Sequence, residues 1–275
     1  SSSINGLLYV RGQAEDFNHW RQLGNAGWAW DDVLPYFKRA ETWNGDGKVD
    51  PVRGTEGPLS VSPTPLKRDI VDKWVDAAVS AGFRRNADYN GAEQEGVGYF
   101  QLTVNKGRRC SSAKAYLKPA SNRKNLKIIT HAQVEKILIQ DGRAFGVTVN
   151  IRGKSQNIYA RREIVLSAGS IGSPQILMLS GIGAASELKK HGINVIKNLP
   201  GVGKNLQDHL QARPVFKTNL STINTEINNV FKQGMIALQY ALNKTGPMAM
   251  AASLGTAFLK TDPINIKAMD ELANL

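Results

Sequence analysis

The chain has 275 residues, 41% hydrophobic and 21% charged, which is enough to bury a substantial core in one large domain or two smaller ones. No window approaches 18 uninterrupted apolar residues, so no transmembrane segment is expected, and the only cysteine, Cys110, excludes an internally disulfide-stapled scaffold. Lys plus Arg exceed Asp plus Glu by 35 to 23, a net charge of +12, but the basic residues are dispersed. The densest run, KGRRCSSAK at 106–114, lacks the interleaved aromatics of a single-strand binder, so it reads as a solvated basic surface with no nucleic-acid partner.

The chain opens on SSSINGLLYVRG, without Met and without a basic start leading into an apolar stretch, so further residues are expected upstream. The run FNHWRQLGNAGWAWDDVLPYF (17–37) is aromatic and amphipathic, and its Trp and Phe side chains call for a larger surface to pack on. Dense Gly and Pro make GDGKVDPVRGTEGPLSVSPTP (45–65) loop or short extended pieces. In LKRDIVDKWVDAAVSAGF (66–83), Ile70, Val71, Trp74, Val75, Ala78 and Val79 repeat at helical spacing, and Gly82 stands where a C-terminal cap belongs.

From Leu126 the period becomes alternating. LKIIT, VEKILIQ, FGVTVNI and NIYARREIVLS read as the strands of a small antiparallel meander, with a two-residue hairpin at Asp141-Gly142. Its last piece, EIVLS, runs into SAGSIGSPQILMLSGIG (167–183), where a helix is expected to start near Ser173-Pro174 and to bury the run from Ile176 to Leu179. Ala168-Gly169, between strand and helix, lets main chain and helix N-terminus approach a flat or phosphorylated ligand; a tight turn without a ligand explains the same residues equally well. Gly181 and Gly183 follow a helix and Gly96 and Gly98 precede none, so neither pair is a phosphate cradle.

SSSINGLLYVRG and GSIGSPQILMLSGIG (169–183) resemble the two signature segments of the glucose-methanol-choline (GMC) oxidoreductases, flavoenzymes that oxidise alcohols. DYNG (88–91), GVGYFQLT (96–103), RRCSSAKAYLKPA (108–120) and PGVGKNLQDH (200–209) follow the family's order, so the resemblance runs from Ser1 to about TGPM at 245–248. It implies an α/β fold, with a GMC-type FAD-binding part (1–30 and 100–205; a mixed sheet with an antiparallel meander) interleaved with an α+β substrate part (31–99 and 206–275). The family's GxGxxG loop and its active-site His are absent from the sequence, which therefore reads as an internal portion of a longer enzyme.

By the same resemblance Asn5, Gly6, Leu7 and Leu8 lie along the flavin, Val134 binds adenine through its backbone, and Ala168 and Gly169 face the ADP half of FAD. Core packing explains Val134 equally well. Some relatives carry a flavin-linked His where this chain has Ile4, so non-covalent FAD is expected. His209, in the NLQDH block, matches a structural segment, and no catalytic residue or metal ligand is assigned. The implied reaction is oxidation of a primary or secondary alcohol: a histidine base takes the hydroxyl proton and a hydride passes to flavin N5. Choline or a small aliphatic alcohol is the favoured substrate, while the electron acceptor, whether quinone, carrier or oxygen, stays open. A cytoplasmic or peripherally membrane-associated protein is expected. A non-catalytic nucleotide- or partner-binding fragment is the alternative, and a basic nucleic-acid binder, recognisable by steep salt dependence, is a third class.

Overall fold

The computed structural model describes residues 4–47, 49–251 and 253–260. Residues 1–3 of the opening motif and 261–275 of the expected substrate part lie outside these. The chain divides into two compact units, Ser1–Arg123 with Phe216–Leu275, and Lys124–Val215. Helices and strands are mixed through the chain, as an α/β class requires.

In the first unit, helices Ala14–Gln22 and Trp30–Ala40 start alike. A carboxylate one turn in, Asp16 or Asp32, accepts the backbone N–H of Gln13 or Ala29 at 2.8 and 3.0 Å and complements the helix dipole. Phe17 joins the two, meeting Trp20, Trp30 and Phe37 at centroid separations of 5.3, 5.6 and 5.5 Å. The aromatics therefore pack largely on one another rather than on a larger surface, and Trp20 and Trp28 stay about half exposed.

Helix Asp69–Ser80 follows the expected spacing and buries Val75 completely. Its end is set by Gly82 at φ +95°: the Gly82 N–H donates to Val79 O and the Phe83 N–H to Ala78 O, closing the last turn in a conformation that a Cβ would strain. Beside it, Glu41–Trp43 runs parallel to Leu59–Pro63, which pairs antiparallel with Gln101–Leu102, and Gly96–Tyr99 pairs antiparallel with Gly255–Phe258. Val61, Val97 and Leu102 from these strands are fully buried.

A polar cluster sits beside this apolar core. Glu41, wholly buried, accepts from Arg11 Nη2 and Arg53 Nε, both at 2.8 Å, and from the Gly54 N–H at 3.1 Å. Arg53 continues to Gln101 Oε1 at 2.9 Å and to Asp88, and stacks 4.1 Å over the Trp43 ring. Each guanidinium is thus paired and shielded, the condition on which charge is tolerated out of water.

The second unit carries the meander, Ala132–Gln140, Arg143–Ile151 and Lys154–Tyr159, all antiparallel. Asp141 and Gly142 at φ +50° and +75° make the expected two-residue turn, and Arg152-Gly153 at +53° and +84° makes a second. Two expected pieces are not strands. Residues 126–130 and 163–167 take no ladder partner among the described residues, and alternation gives a strand only where a neighbour completes its hydrogen bonds. Ile128, Ile129 and Val165 are accordingly exposed.

The helix also differs from expectation. It spans Gly169–Leu179, starting about four residues earlier than Ser173-Pro174; the Ser173 side chain reaches back to accept the Ala168 N–H at 3.0 Å, and Pro174 falls in the second turn. Ile176 is buried, whereas Leu177 and Met178 are half-buried and Leu179 is exposed, because four consecutive residues sweep most of the way round a helix. Ser180 ties the helix to the sheet, its Oγ accepting the Ile137 N–H at 2.8 Å.

Glu41→Ala leaves two buried guanidiniums facing each other without their shared carboxylate. We expect a loss of about 3–5 kcal/mol of stability, read as a lowered midpoint in urea unfolding; a loss under about 1 kcal/mol would show the cluster to be incidental.

Candidate functional site

The segment 5–8 is shaped by strand residues about a hundred positions away. Leu7 stands at φ +75°, an uncommon conformation for a residue with a Cβ, and it is over-determined from one side. Its carbonyl accepts from the Thr103 N–H at 2.9 Å and the Thr103 hydroxyl at 3.2 Å. Leu8 bridges Leu102 antiparallel, and the Tyr9 N–H donates to Gln101 O at 2.9 Å. The Leu7 side chain packs on the cluster of Leu102, Val104 and Ala251. Asn5 and Gly6 are exposed, so the main chain at this end of the segment is open to approach.

The anchor continues through residues 9–11. Tyr9 O accepts from the Tyr89 hydroxyl and from Asn90 Nδ2, both at 2.9 Å, and the Arg11 N–H donates to Asn90 Oδ1 at 2.8 Å. The Arg11 guanidinium then enters the Glu41 cluster. Burial, and after it the nearby Glu41 carboxylate, pushes the Tyr9 hydroxyl up to about 12. Burial raises Tyr89 as well.

Arg109 meets the segment from a hairpin that the sequence reading passed over. Val104-Asn105 pairs with Arg108-Arg109 across Lys106 and Gly107 at φ +48° and +69°, a two-residue turn of the same type as Asp141-Gly142. A Cβ on Gly107 would lie 1.9 Å from Lys244 O, and the Tyr240 hydroxyl donates to Gly107 O at 3.2 Å, so the turn is pressed against the end of helix Val230–Asn243. From this support Arg109 Nη1 donates to Asn5 O at 2.8 Å. Arg108, Arg109, Lys106, Lys114 and Lys118 line a shallow cavity of about 470 Å³ beside it.

In the second unit Val134 is half-buried and paired with Val149, next to a bulge before Lys136. Ala168 and Gly169 are exposed at the head of helix Gly169–Leu179. Gly169 sits at φ +87°, and a Cβ there would meet nothing within 4 Å, so what the position requires is left-handed backbone in open space. The rejected glycine pairs have structural roles instead. Gly181 turns the chain where a Cβ would lie 2.4 Å from Asn194 O, and Gly98 lets a strand pass 2.2 Å, on the same measure, from Asn86 O. His209 is exposed on a stretch without regular structure. Among the described residues no group of three or more His, Cys, Asp or Glu is arranged to hold a metal ion, and no helix is long and apolar enough to cross a membrane.

Each unit thus carries one exposed piece of main chain beside a residue at positive φ, Asn5-Gly6 before Leu7 in the first and Ala168-Gly169 in the second. The GMC oxidoreductase family matches residues 1–211, and the chain belongs to it. It is similar to the oxygen-dependent choline dehydrogenases of Sinorhizobium fredii and Brucella suis, 45% identical in each case over 96% and 95% of this chain and 47% of each relative. The chain thus spans about half the length of the curated relatives it matches. Among solved structures it resembles an FAD-dependent oxidoreductase from Chaetomium thermophilum, with 30% identity and a TM-score of 0.81 over 92% of this chain and 47% of that one. A variant of the formate oxidase of Aspergillus oryzae RIB40 gives 27% and 0.80 over 99% and 50%.

Because the Tyr9 hydroxyl is raised in the folded state, its contribution to stability is complete below the unfolded value near 10 and is lost as pH rises toward about 12. Unfolding followed across this window should show stability falling less steeply in Tyr9→Phe than in the parent. Equal slopes would mean that Tyr9 ionises freely in the folded chain.

Proposed function

We propose that the chain provides the flavin-contacting segments and part of the substrate wall of an FAD-dependent enzyme that oxidises a primary or secondary alcohol, with choline or a small aliphatic alcohol favoured. The observation that carries this reading is the 45% identity to choline dehydrogenases across 95–96% of the chain. The residues present fit the cofactor. Gly169 holds left-handed backbone with clear space where a side chain would project, and the exposed Asn5-Gly6 main chain precedes a Leu7 carbonyl already fixed by Thr103. On this reading Asn5, Gly6, Leu7 and Leu8 face the isoalloxazine, while Val134, Ala168 and Gly169 serve the adenine and ADP half. The functional division into an FAD part (1–30 and 100–205) and a substrate part (31–99 and 206–275) is proposed with it.

Bound FAD supplies the two-electron acceptor for the carbinol hydride. The chain's own contribution is positional. Thr103 and Leu102 hold the 7–8 backbone in register, and Gly6 lets main-chain groups come close without a side chain between. Ile4 offers no nucleophile for a flavin linkage, so the cofactor is held non-covalently at this position. None of His19, His131, His191 or His209 is assigned as the base.

The test uses the protein expressed from the complete gene. It should purify yellow, release FAD on denaturation, and bleach anaerobically with choline or a short aliphatic alcohol faster than with an aryl alcohol or a sugar; reoxidation by air against a quinone then identifies the acceptor. A folded, colourless protein would overturn the flavoenzyme reading. In the same background Gly169→Ala adds about 1 kcal/mol of backbone strain and should weaken FAD retention, measured as the flavin-to-protein ratio after dialysis. Full retention would detach Gly169 from the cofactor.

A further inference from the structure

We infer that Arg109 is a positioning residue that sets the reduction potential of the flavin, acting through the Asn5–Gly6 peptide. The inference rests on the flavin reading above and deepens it. Arg109 Nη1 donates to the Asn5 carbonyl at 2.8 Å, and that carbonyl belongs to the same peptide unit as the Gly6 N–H. A charged donor on the oxygen draws electron density from the nitrogen, so the N–H becomes a stronger donor in turn. Among the described residues no protein group accepts from the Gly6 N–H, which leaves it to donate outward, on the side where Asn5 and Gly6 are exposed.

The geometry around Arg109 holds it to this task. The turn at Lys106-Gly107 fixes the register of the hairpin, with Val104 opposite Arg109. Thr103, just before the hairpin, is bonded on both sides: its N–H donates to Leu7 O, and its carbonyl accepts the Cys110 N–H at 2.9 Å. Segment 5–8, residue 103 and residues 109–110 therefore form one continuous ladder. Gly107 is pressed against Lys244 O and bonded by the Tyr240 hydroxyl, so the hairpin has little room to carry Arg109 away. Arg109 is only half-buried, and its field is open to screening by salt.

The chemical consequence has a sign. A reduced flavin is more electron-rich than an oxidised one, so a positive charge relayed to an N–H at its edge favours the reduced form and raises the potential. Lys retains the charge without the planar fork, whereas Gln retains a donor without the charge.

The experiment measures the flavin reduction potential of the full-length holoenzyme and the dissociation constant of FAD from its apoprotein, for the parent, Arg109→Gln and Arg109→Lys, at low and high salt. In Arg109→Gln the reduced flavin should lose about tenfold in binding relative to the oxidised, a fall of about 30 mV for a two-electron couple. Arg109→Lys should recover at least half of that, and high salt should narrow the difference. The kcat for the reductive step should fall while KM stays within about twofold. If Arg109→Gln does not fold, Arg109→Lys decides, with a small fall that salt diminishes sustaining the inference and an unmoved potential overturning it. A parent without flavin overturns the underlying reading as well; a flavin-loaded parent whose variants share its potential overturns only the role of Arg109.

Discussion

The first unit is organised around one buried carboxylate. Glu41 holds Arg11, from the segment that follows residues 5–8, and Arg53, from the Gly- and Pro-rich stretch, in a single charge-balanced contact. Neither guanidinium could be buried alone, since the desolvation of an unpaired charge costs more than the packing around it returns. Arg53 extends the contact to Gln101 and Asp88, so three pieces of chain without a regular ladder of their own become fixed to the central strands. Apolar contacts would tolerate small slides here; a directional network with every member engaged does not.

That rigidity reaches the exposed main chain in few steps. Glu41 fixes Arg11, Asn90 holds the Arg11 N–H and the Tyr9 carbonyl, and residues 101–103 hold residues 7–9. Leu7 can stay at positive φ because its carbonyl is claimed twice by Thr103. A left-handed non-glycine residue costs energy that a loose loop would release by relaxing. In this chain the cost is offset by the two Thr103 bonds to the Leu7 carbonyl and by the packing of the Leu7 side chain.

Much of this was legible in the sequence, and unevenly so. Helix 69–80 and the Asp141-Gly142 hairpin could be read because their causes are local: a periodic apolar face with a glycine after it, and two residues that accept positive φ. The same local chemistry stood at Lys106-Gly107 and Arg152-Gly153, where the first turn residue is basic rather than Asn or Asp, and both were passed over. LKIIT and EIVLS misled because alternation reports a preference, while a strand also needs a neighbour. Gly169, a candidate by resemblance, stands at φ +87° in open space. The contacts of Arg109 with Asn5 and of Glu41 with Arg11 and Arg53 gave no signal, since they span 104, 30 and 12 residues and only the fold brings them together.

What unites the two kinds of residue is the use of backbone in place of side chains. A site made of carboxylates or histidines announces itself by residue type, but one made of peptide groups is visible only through what constrains those groups: a glycine that must be left-handed, a leucine held there against its preference, a guanidinium on a carbonyl. Thr103, Asn90 and Arg109, none of which resemblance placed at the cofactor, bond the main chain of residues 5–11 directly, so on the proposed reading changes there are expected to shift the peptide groups themselves. On that reading, the residues that govern a backbone-built site are those that bond its main chain, and in this chain Asn90, Thr103 and Arg109 do so from outside the two signature segments.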